Sequence, residues 1–203
     1  MIELDINADG IWTVTINRPD KANSLTKDML SELTRIARDA QSARAVILTG
    51  TGKVFSAGAD LDQAKAGLAT DPVWEDLSHA VAQLPGLTIA ALNGTLAGGA
   101  FGMALACDLR LAVPSAKFFY PVMKLGFLPQ PSDSVRLAAL VGPARAKLIL
   151  MAGQKITADQ ALQFGLVDQI VDSSDLLERA HGLCADVTAA EPQIAQGIKD
   201  MCR

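Results

Sequence analysis

Two stretches of this chain repeat one local pattern, and that pattern restricts the fold. An apolar run at residues 45–49 leads through glycines to a small-residue segment at 55–61, and a second run at 88–92 leads to another segment at 93–100. Continuous apolar runs of this length are typical of strands buried on both faces. Each small-residue segment then opens a predicted helix. The chain is therefore expected to form an α/β fold in which helices cover parallel strands.

The two small-residue segments also indicate a chemistry. Their side chains are too small to screen the backbone, and the start of a helix carries unpaired N–H groups and the positive end of the helix dipole. Two such places, brought together, offer two backbone N–H groups to one oxygen atom, which is an oxyanion hole. The alternative is structural: Ala57-Gly58 forms only a tight turn, and Gly98-Gly99 only allows close helix packing.

The other patterns extend the α/β interpretation. Alternating residues at 2–7 and 11–17 flank Asp9-Gly10, which predicts a hairpin, and Thr26 is a suitable N-cap for the amphipathic helix that follows. A chain of 203 residues is expected to form one core domain over 1–172 and a short helical segment over 173–203. Further strands are predicted at 109–113, 117–119 and 166–171, and further helices at about 60–68, 72–84, 98–107, 175–187 and 192–199 and after Pro131, Pro143 and Thr157.

Composition excludes several classes of partner. The formal net charge is −4, which argues against nucleic acid or an anionic membrane as the main partner. No apolar stretch is long enough to span a bilayer. Cys107, Cys184 and Cys202 have no metal-ligand spacing, and an odd number of cysteines fits a reducing cytoplasm better than a disulfide framework. We therefore expect a cytoplasmic protein with no metal site.

Four motifs follow one another between residues 17 and 168. They are NRPDKANSL at 17–25, FSAGADL at 55–61, NGTLAGGA at 93–100 with Cys107-Asp108 after it, and ITADQA at 156–161 followed by GLVD at 165–168. In this order and at these spacings they resemble the crotonase superfamily, also called the enoyl-CoA hydratase/isomerase family. Each motif alone is weak, but the four in order are specific.

The resemblance implies an α/β crotonase-like spiral of repeated ββα units (the ClpP/crotonase class), with a short C-terminal helical region. It implies an acyl-CoA thioester as substrate, with coenzyme A as part of the substrate and no separate cofactor. The backbone N–H groups of Ala57 and Gly99 would hold the thioester oxygen of an enolate-like intermediate, and Lys21 would bind a CoA phosphate. The other positions that the resemblance assigns to the CoA thioester are Ala22, Ser24, Ala57, Gly58, Ala59, Asp60, Leu61, Leu96, Gly99, Pro121, Val122, Leu125 and Gly126.

The chain departs from the family pattern at the acid and base positions. Hydratases of the family carry two glutamates that position water and move the proton, and the corresponding positions here are Gly102 and Val122. Neither residue can transfer a proton, so we expect no hydration by the two-glutamate route. We predict instead an acyl-CoA enzyme that needs enolate stabilisation without that pair, such as a decarboxylase or thioester hydrolase. The alternative is a protein that binds CoA thioesters without turnover.

Three polar residues remain as candidates for proton transfer. Asp133 lies in a loop that the family places beside the acyl pocket, although with Pro131 at the first helical position it could simply favour the helix dipole. Gln130 occupies a third family position for an acid. Tyr120 adjoins the missing glutamate position, although an aromatic residue at a strand end is more often part of the core. Asp60 is expected to cap a helix rather than to catalyse.

The family resemblance also bears on assembly. It implies a homotrimer or a dimer of trimers, as in enzymes of fatty acid metabolism. Those proteins usually end in further helices that pack on neighbouring subunits, and this sequence has only the beginning of that region. We therefore expect any trimer to depend on other surfaces.

Overall fold

The computed structural model describes residues 1–202, and within this range the strands form two sheets. The predicted hairpin and the predicted apolar strands are present, and so the α/β class is confirmed. The strands are β1 Ile2–Ile6, β2 Ile11–Ile16, β3 Ala45–Gly50, β4 Val54–Ser56, β5 Leu87–Leu92, β6 Thr95–Ala97, β7 Leu109–Ala112, β8 Lys117–Phe119, β9 Ile156–Thr157 and β10 Gln169–Ile170.

The larger sheet has the order β1-β2-β3-β5-β7-β10 in the described chain. β1 pairs with β2 antiparallel, and every other pair in this sheet is parallel. The central strands β3 and β5 are buried along almost their whole length, because parallel sheets are covered on both faces. The predicted strand at 166–171 is shorter than expected, with Gln169–Ile170 alone in strand conformation.

The smaller sheet has the order β4-β6-β8-β9 and was not predicted as a sheet. β4 and β6 arise inside the two small-residue segments. Each is three residues long, too short to show a periodicity. Each of β3, β5 and β7 is followed by one of these short strands and then by a helix, which gives the repeated ββα unit that the family resemblance implies.

The helices pack around the two sheets, and one contiguous hydrophobic core joins them. The predicted helix at 98–107 begins as a 3-10 turn, Gly98–Ala100, before it becomes α-helical. The predicted helix at 175–187 is two helices. The α-helices are α1 Lys27–Asp39, α2 Leu61–Lys65, α3 Val73–Ala82, α4 Phe101–Leu105, α5 Val122–Leu125, α6 Pro131–Val141, α7 Pro143–Leu150, α8 Ala158–Phe164, α9 Leu176–Gly182, α10 Ala185–Ala189 and α11 Pro192–Met201.

An asparagine and a glycine lock the two ββα units together where the strands cross from one sheet to the other. Asn93 accepts from the Gly50 N–H at 3.0 Å and donates to the Gly52 carbonyl at 2.9 Å. A Cβ atom at Gly94 would lie 2.0 Å from the Lys53 carbonyl oxygen. The backbone can approach this closely only at glycine. This contact sets β4 beside β6, and with them the two small-residue segments.

Candidate active site: a cavity with two unbonded backbone amides

The two small-residue segments meet at the wall of a cavity of about 490 Å³. A Cβ atom at Gly58 would lie 2.9 Å from the Ala97 carbonyl oxygen, so the segments are in backbone contact as predicted. Apolar residues make up most of the wall, which suits a binding site for an organic molecule. The lining residues are Ala57, Ala59, Leu61, Ala64, Lys65, Ala69, Trp74, Ala97, Gly98, Gly99, Phe119, Tyr120, Pro121, Val122, Leu125, Phe127 and Leu128.

The amide of Ala57 does not serve as predicted. Its N–H donates to the Ala22 carbonyl oxygen at 3.0 Å and is therefore not available to a ligand. The bond arises because the NRPDKANSL segment runs alongside the first small-residue segment, where Leu25 forms an isolated parallel bridge with Ala59. The prediction that Ala57 supplies an oxyanion donor is wrong for this reason.

Ala59 and Gly99 both lie on the cavity wall and have backbone amides without a partner in the described residues. In the bridge, Leu25 exchanges hydrogen bonds with Gly58 and Asp60, which leaves the N–H of Ala59 on the opposite side. Gly99 lies in the 3-10 turn that begins the second helix, where N–H groups have no partner within the helix. Within residues 1–202 neither nitrogen donates a hydrogen bond. Ala59 and Gly99 therefore form the pair of donors that the two segments were expected to supply.

An aromatic side chain holds the second segment in place. A Cβ atom at Gly99 would lie 3.0 Å from the indole ring of Trp74, so the ring packs directly on the glycine. The indole N–H donates to the Leu68 carbonyl at 2.8 Å, which fixes the ring. The spacing of Trp74 and Leu77 in the sequence predicts a buried helix face. Nothing in that spacing indicates contact with Gly99, which lies 25 positions away.

The residues predicted to bind CoA fall into two groups. Ala57, Ala59, Leu61, Gly99, Pro121, Val122 and Leu125 line the cavity, whereas Lys21, Ala22, Ser24, Gly58, Asp60, Leu96 and Gly126 do not. Leu96 is buried in the core, and Lys21 is exposed outside the cavity. Lys65, which sequence reasoning missed, brings a cation to the cavity wall.

Asp60 has the structural role that was predicted for it. Its carboxylate accepts from the Asp62 and Gln63 amides at the start of α2. Arg18 donates to the same carboxylate at 2.8 Å, and this hydrogen bond is the main reason that the pKa of Asp60 lies below its ordinary value. Arg18 also donates to the Ser24 carbonyl at 3.0 Å. Arg18 thereby joins the NRPDKANSL motif to α2, the helix that follows the first small-residue segment.

Tyr120 and Asp133 form a buried pair beside the cavity. Strands β6 and β8 are parallel with Ala97 opposite Phe119, so Tyr120 leaves the sheet level with Gly98. Tyr120 lines the cavity, and its hydroxyl donates to Asp133 Oδ2 at 2.8 Å. Asp133 is 1% exposed, and its second oxygen, Oδ1, has no hydrogen-bond partner in the described part of the chain. Asp133 itself lies behind Tyr120 and outside the cavity wall.

The volume that Asp133 fills is the one that a side chain at position 102 would take. A Cβ atom at Gly102 would lie 2.7 Å from Asp133 Oδ1. The family resemblance assigns its first glutamate to position 102, and here a carboxyl group from α6 occupies the space beside that position. Asp133 also lies at the third position of α6, as predicted, but the helix dipole does not account for its near-complete burial.

Burial is the main cause of the raised pKa values of Tyr120 and Asp133. Burial, and to a smaller extent the Glu75 charge, raises the pKa of Asp133 to about 7. The Tyr120 hydrogen bond and Arg136 act in the opposite direction. Burial and the neighbouring Asp133 charge raise the pKa of Tyr120 well above its ordinary value. Asp133 therefore changes protonation state near neutral pH.

Gln130, the third candidate for proton transfer, is placed differently from Tyr120 and Asp133. Gln130 is the N-cap residue of α6 and lies outside the cavity wall. Its carbonyl accepts from the Asp133 N–H at 3.1 Å, so it helps to place the start of that helix. Val122, which the family resemblance assigns to the second glutamate position, lines the cavity with an apolar side chain.

Comparison with known proteins identifies the family of this chain. The family model described as enoyl-CoA hydratase/isomerase matches residues 7–203. YngF of Bacillus subtilis (strain 168), named for the same family, is 38% identical over 88% of this chain and 72% of its own length. A 4-chlorobenzoyl coenzyme A dehalogenase of Arthrobacter is 34% identical over 95% of this chain and 74% of its own. The crystal structure of an enoyl-CoA hydratase from Bacillus anthracis superposes with a TM-score of 0.91 at 33% identity, covering 98% of this chain and 81% of that one.

Fold and site together define a protein with repeated ββα units that presents two backbone amides to an apolar cavity. The chain belongs to the enoyl-CoA hydratase/isomerase family, the crotonase superfamily. Within residues 1–202 no helix is both long and apolar enough to cross a membrane.

Proposed function

We propose that this protein binds an acyl-CoA thioester and stabilises the enolate of its acyl group. The observation that carries the proposal is the pair of unbonded N–H groups at Ala59 and Gly99 on the wall of one apolar cavity. Such donors stabilise the negative charge that develops on a carbonyl oxygen, and a dry, apolar surrounding strengthens the effect. The membership of the family supports the CoA thioester as the substrate class.

Two residues support a reaction other than hydration. Gly102 and Val122 stand at the positions of the family's glutamate pair, and neither can transfer a proton. We therefore favour decarboxylation of an α-carboxyl thioester, in which loss of CO2 leaves the enolate directly. The alternative reaction is thioester hydrolysis, in which the same donors would stabilise the oxyanion of the tetrahedral intermediate. The same two residues favour the second candidate, a CoA-thioester binding protein without turnover.

A panel of CoA thioesters separates these candidates. Acetyl-, butyryl-, crotonyl- and malonyl-CoA would be tested for turnover, and calorimetry would measure the binding of each ester and of CoA itself. Turnover of malonyl-CoA or release of free CoA supports the enzyme, and binding without turnover supports the binding protein. Absence of binding by any CoA compound would contradict both.

The donor at Ala59 can be removed directly, because proline has no N–H. We expect Ala59→Pro to lower the catalysed rate by about 100- to 1000-fold, the usual effect of losing one oxyanion donor. Ala59→Gly is the matched control, since it removes only a methyl group and keeps the N–H. Circular dichroism would confirm that both variants fold, and equal rates for the two would contradict the assignment.

In a binding protein without turnover the same pair of variants has another readout. Donors aimed at a carbonyl oxygen weaken the C=O bond, so the infrared carbonyl stretch of 13C-labelled butyryl-CoA is expected to move to lower frequency on binding. The shift should be smaller in Ala59→Pro than in Ala59→Gly.

A further inference from the structure

The oxyanion donors stabilise an enolate but do not supply the proton that the enolate needs. An enolate held by Ala59 and Gly99 must gain a proton at its α-carbon to become a released product. That proton must come from a group on the cavity wall, close to the second oxyanion segment. Strand register places Tyr120 there, level with Gly98.

We propose that Tyr120 is the catalytic proton donor to the α-carbon of the bound enolate, and that Asp133 behind it is the positioning residue that supplies the replacement proton. The proposal rests on the proposed function, because it requires a thioester enolate in the cavity. It places the proton-transfer group on α6 and the β8–α5 connection instead of on α4 and α5, where Gly102 and Val122 lie.

With Asp133 protonated, the Tyr120 hydroxyl proton passes to the α-carbon of the enolate, whose carbon–carbon π electrons form the new C–H bond while the carbonyl is restored. The Tyr120 oxygen takes the proton of Asp133, which becomes a carboxylate. Solvent returns a proton to Asp133 through Tyr120 when the cavity empties. In the reverse direction, the carboxylate accepts the tyrosine proton while the tyrosine oxygen removes an α-proton.

Three features of the pair fit this relay. The 2.8 Å hydrogen bond is short enough for transfer between Tyr120 and Asp133. Asp133 Oδ1 is buried and has no partner within the described residues, which favours the neutral acid over the carboxylate. The pKa of Asp133 near 7 allows both protonation states at neutral pH, where a relay must gain and lose its proton.

The charges that face Asp133 come from every side of the pair. Glu75 on α3 raises its pKa, and Arg136 on its own helix lowers it. Arg136 is also hydrogen-bonded to Ser78 and Ser132, and Ser132 donates to Glu75 at 3.0 Å. Helix α4 contributes Gly102 and no charge. Glu75 and Arg136 thus act in opposite directions on Asp133, which keeps burial the dominant influence.

Exchange of the α-protons of butyryl-CoA in D2O, followed by mass spectrometry, tests the relay without knowledge of the natural reaction. Wild-type protein is expected to catalyse the exchange. Tyr120→Phe should lower the exchange rate by about 100- to 10,000-fold, the range for general acid–base catalysis, with butyryl-CoA affinity changed less than about threefold. Thr34→Val, which removes a buried hydroxyl on α1 far from the cavity, is the control and should exchange at the wild-type rate.

Asp133 is tested through the pH profile. Removal of an α-proton requires the carboxylate form, so wild-type exchange should rise with pH and level off above about 7. Asp133→Asn should lose this inflection and exchange at least about tenfold more slowly at pH 8. A purely structural role would lower the rate without changing the shape of the profile.

The outcomes separate the relay from the proposed function. Butyryl-CoA binding with a lowered carbonyl stretch, but exchange equal in wild type and Tyr120→Phe, would overturn the relay and leave the oxyanion proposal standing. The same holds if the wild type binds and polarises the ester without any exchange. Absence of binding and of the carbonyl shift in the wild type would overturn the proposed function itself.

Discussion

Gly102 and Asp133 compete for one small volume at the residue scale. The 2.7 Å separation between a Cβ at Gly102 and Asp133 Oδ1 means that a side chain at position 102 would displace the buried carboxyl from its present position. The pair must therefore change together. A glutamate at position 102 would need a small residue at position 133, and the present arrangement needs glycine at position 102.

Burial of Asp133 makes the stability of the protein depend on pH. The folded-state pKa of about 7 lies above the ordinary value of 3.8, so folding favours the protonated form. The stabilisation is fully present below pH 3.8 and is lost as pH rises to about 7. This difference corresponds to about 4 kcal/mol at 1.36 kcal/mol per pKa unit.

Asp133→Asn tests that dependence, because asparagine stays neutral. We expect the free energy of unfolding of the wild type to fall relative to that of Asp133→Asn between pH 4 and pH 8, and to run parallel above pH 8. Urea denaturation at several pH values measures it. Parallel curves over the whole range would show that Asp133 titrates normally in the folded protein.

Some of the site residues could be predicted from the sequence, and others could not. Gly99 could be predicted, because a helix start leaves its amide unpaired. The choice between Ala57 and Ala59 could not, because it depends on Ala22 and Leu25, which lie more than 30 positions away along the chain. Asp133 was recognisable as a helix-start acid, but its burial follows from the missing side chain at Gly102.

At the element scale, the connections between the two sheets are the least tolerant part of the fold. Gly94 is the extreme case, since a Cβ there would lie 2.0 Å from a backbone oxygen. The neighbouring strand β6 is part of the second small-residue segment and leads to Gly99. We therefore expect a displacement at position 94 to move Gly99.

We expect Gly94→Ala to lower the free energy of unfolding by more than about 3 kcal/mol, as an overpacked or strained core site does. Gly197→Ala is the matched control. Gly197 lies inside α11 with nothing within 4 Å of the added atom, so alanine should not lower the free energy of unfolding. Thermal unfolding measures both. Equal and small effects would show that the connection can adjust.

Sequence patterns predicted the longer and more apolar elements better than the short ones. The central strands of the larger sheet were predicted because five-residue apolar runs such as residues 88–92 are distinctive. β4 and β6 were missed because a strand of only three residues gives no period. Their strand conformation comes from pairing across the sheet, which is information that a local pattern does not contain.

At the scale of the whole molecule, the C-terminal helix is attached differently from the rest. α11 has no fully buried residue. Its Lys199 donates to the Gly86 carbonyl at 2.9 Å and pairs with Asp108 at 2.8 Å. Asp108 also accepts from the Thr88 N–H at 2.8 Å, so the ion pair links the helix to the larger sheet.

We expect α11 to open locally without unfolding of the core, since few apolar contacts hold it. Lys199→Gln should raise amide hydrogen exchange in α11 by about tenfold and leave β5 unchanged, because the glutamine keeps a donor but loses the charge. Lys147→Gln, at an exposed position on α7, is the control. Exchange that rises equally in α11 and β5 would show that the helix unfolds together with the core.

The oxyanion donors that we propose, Ala59 and Gly99, belong to the main chain, and this affects how such a protein can change. A side-chain catalyst is lost by one substitution, whereas a peptide N–H persists through almost any replacement except proline. The ability to hold an enolate oxygen is therefore passed on with the fold. The groups that move protons can then be gained, lost or transferred to another helix one mutation at a time, and the reaction can change while the anion site stays.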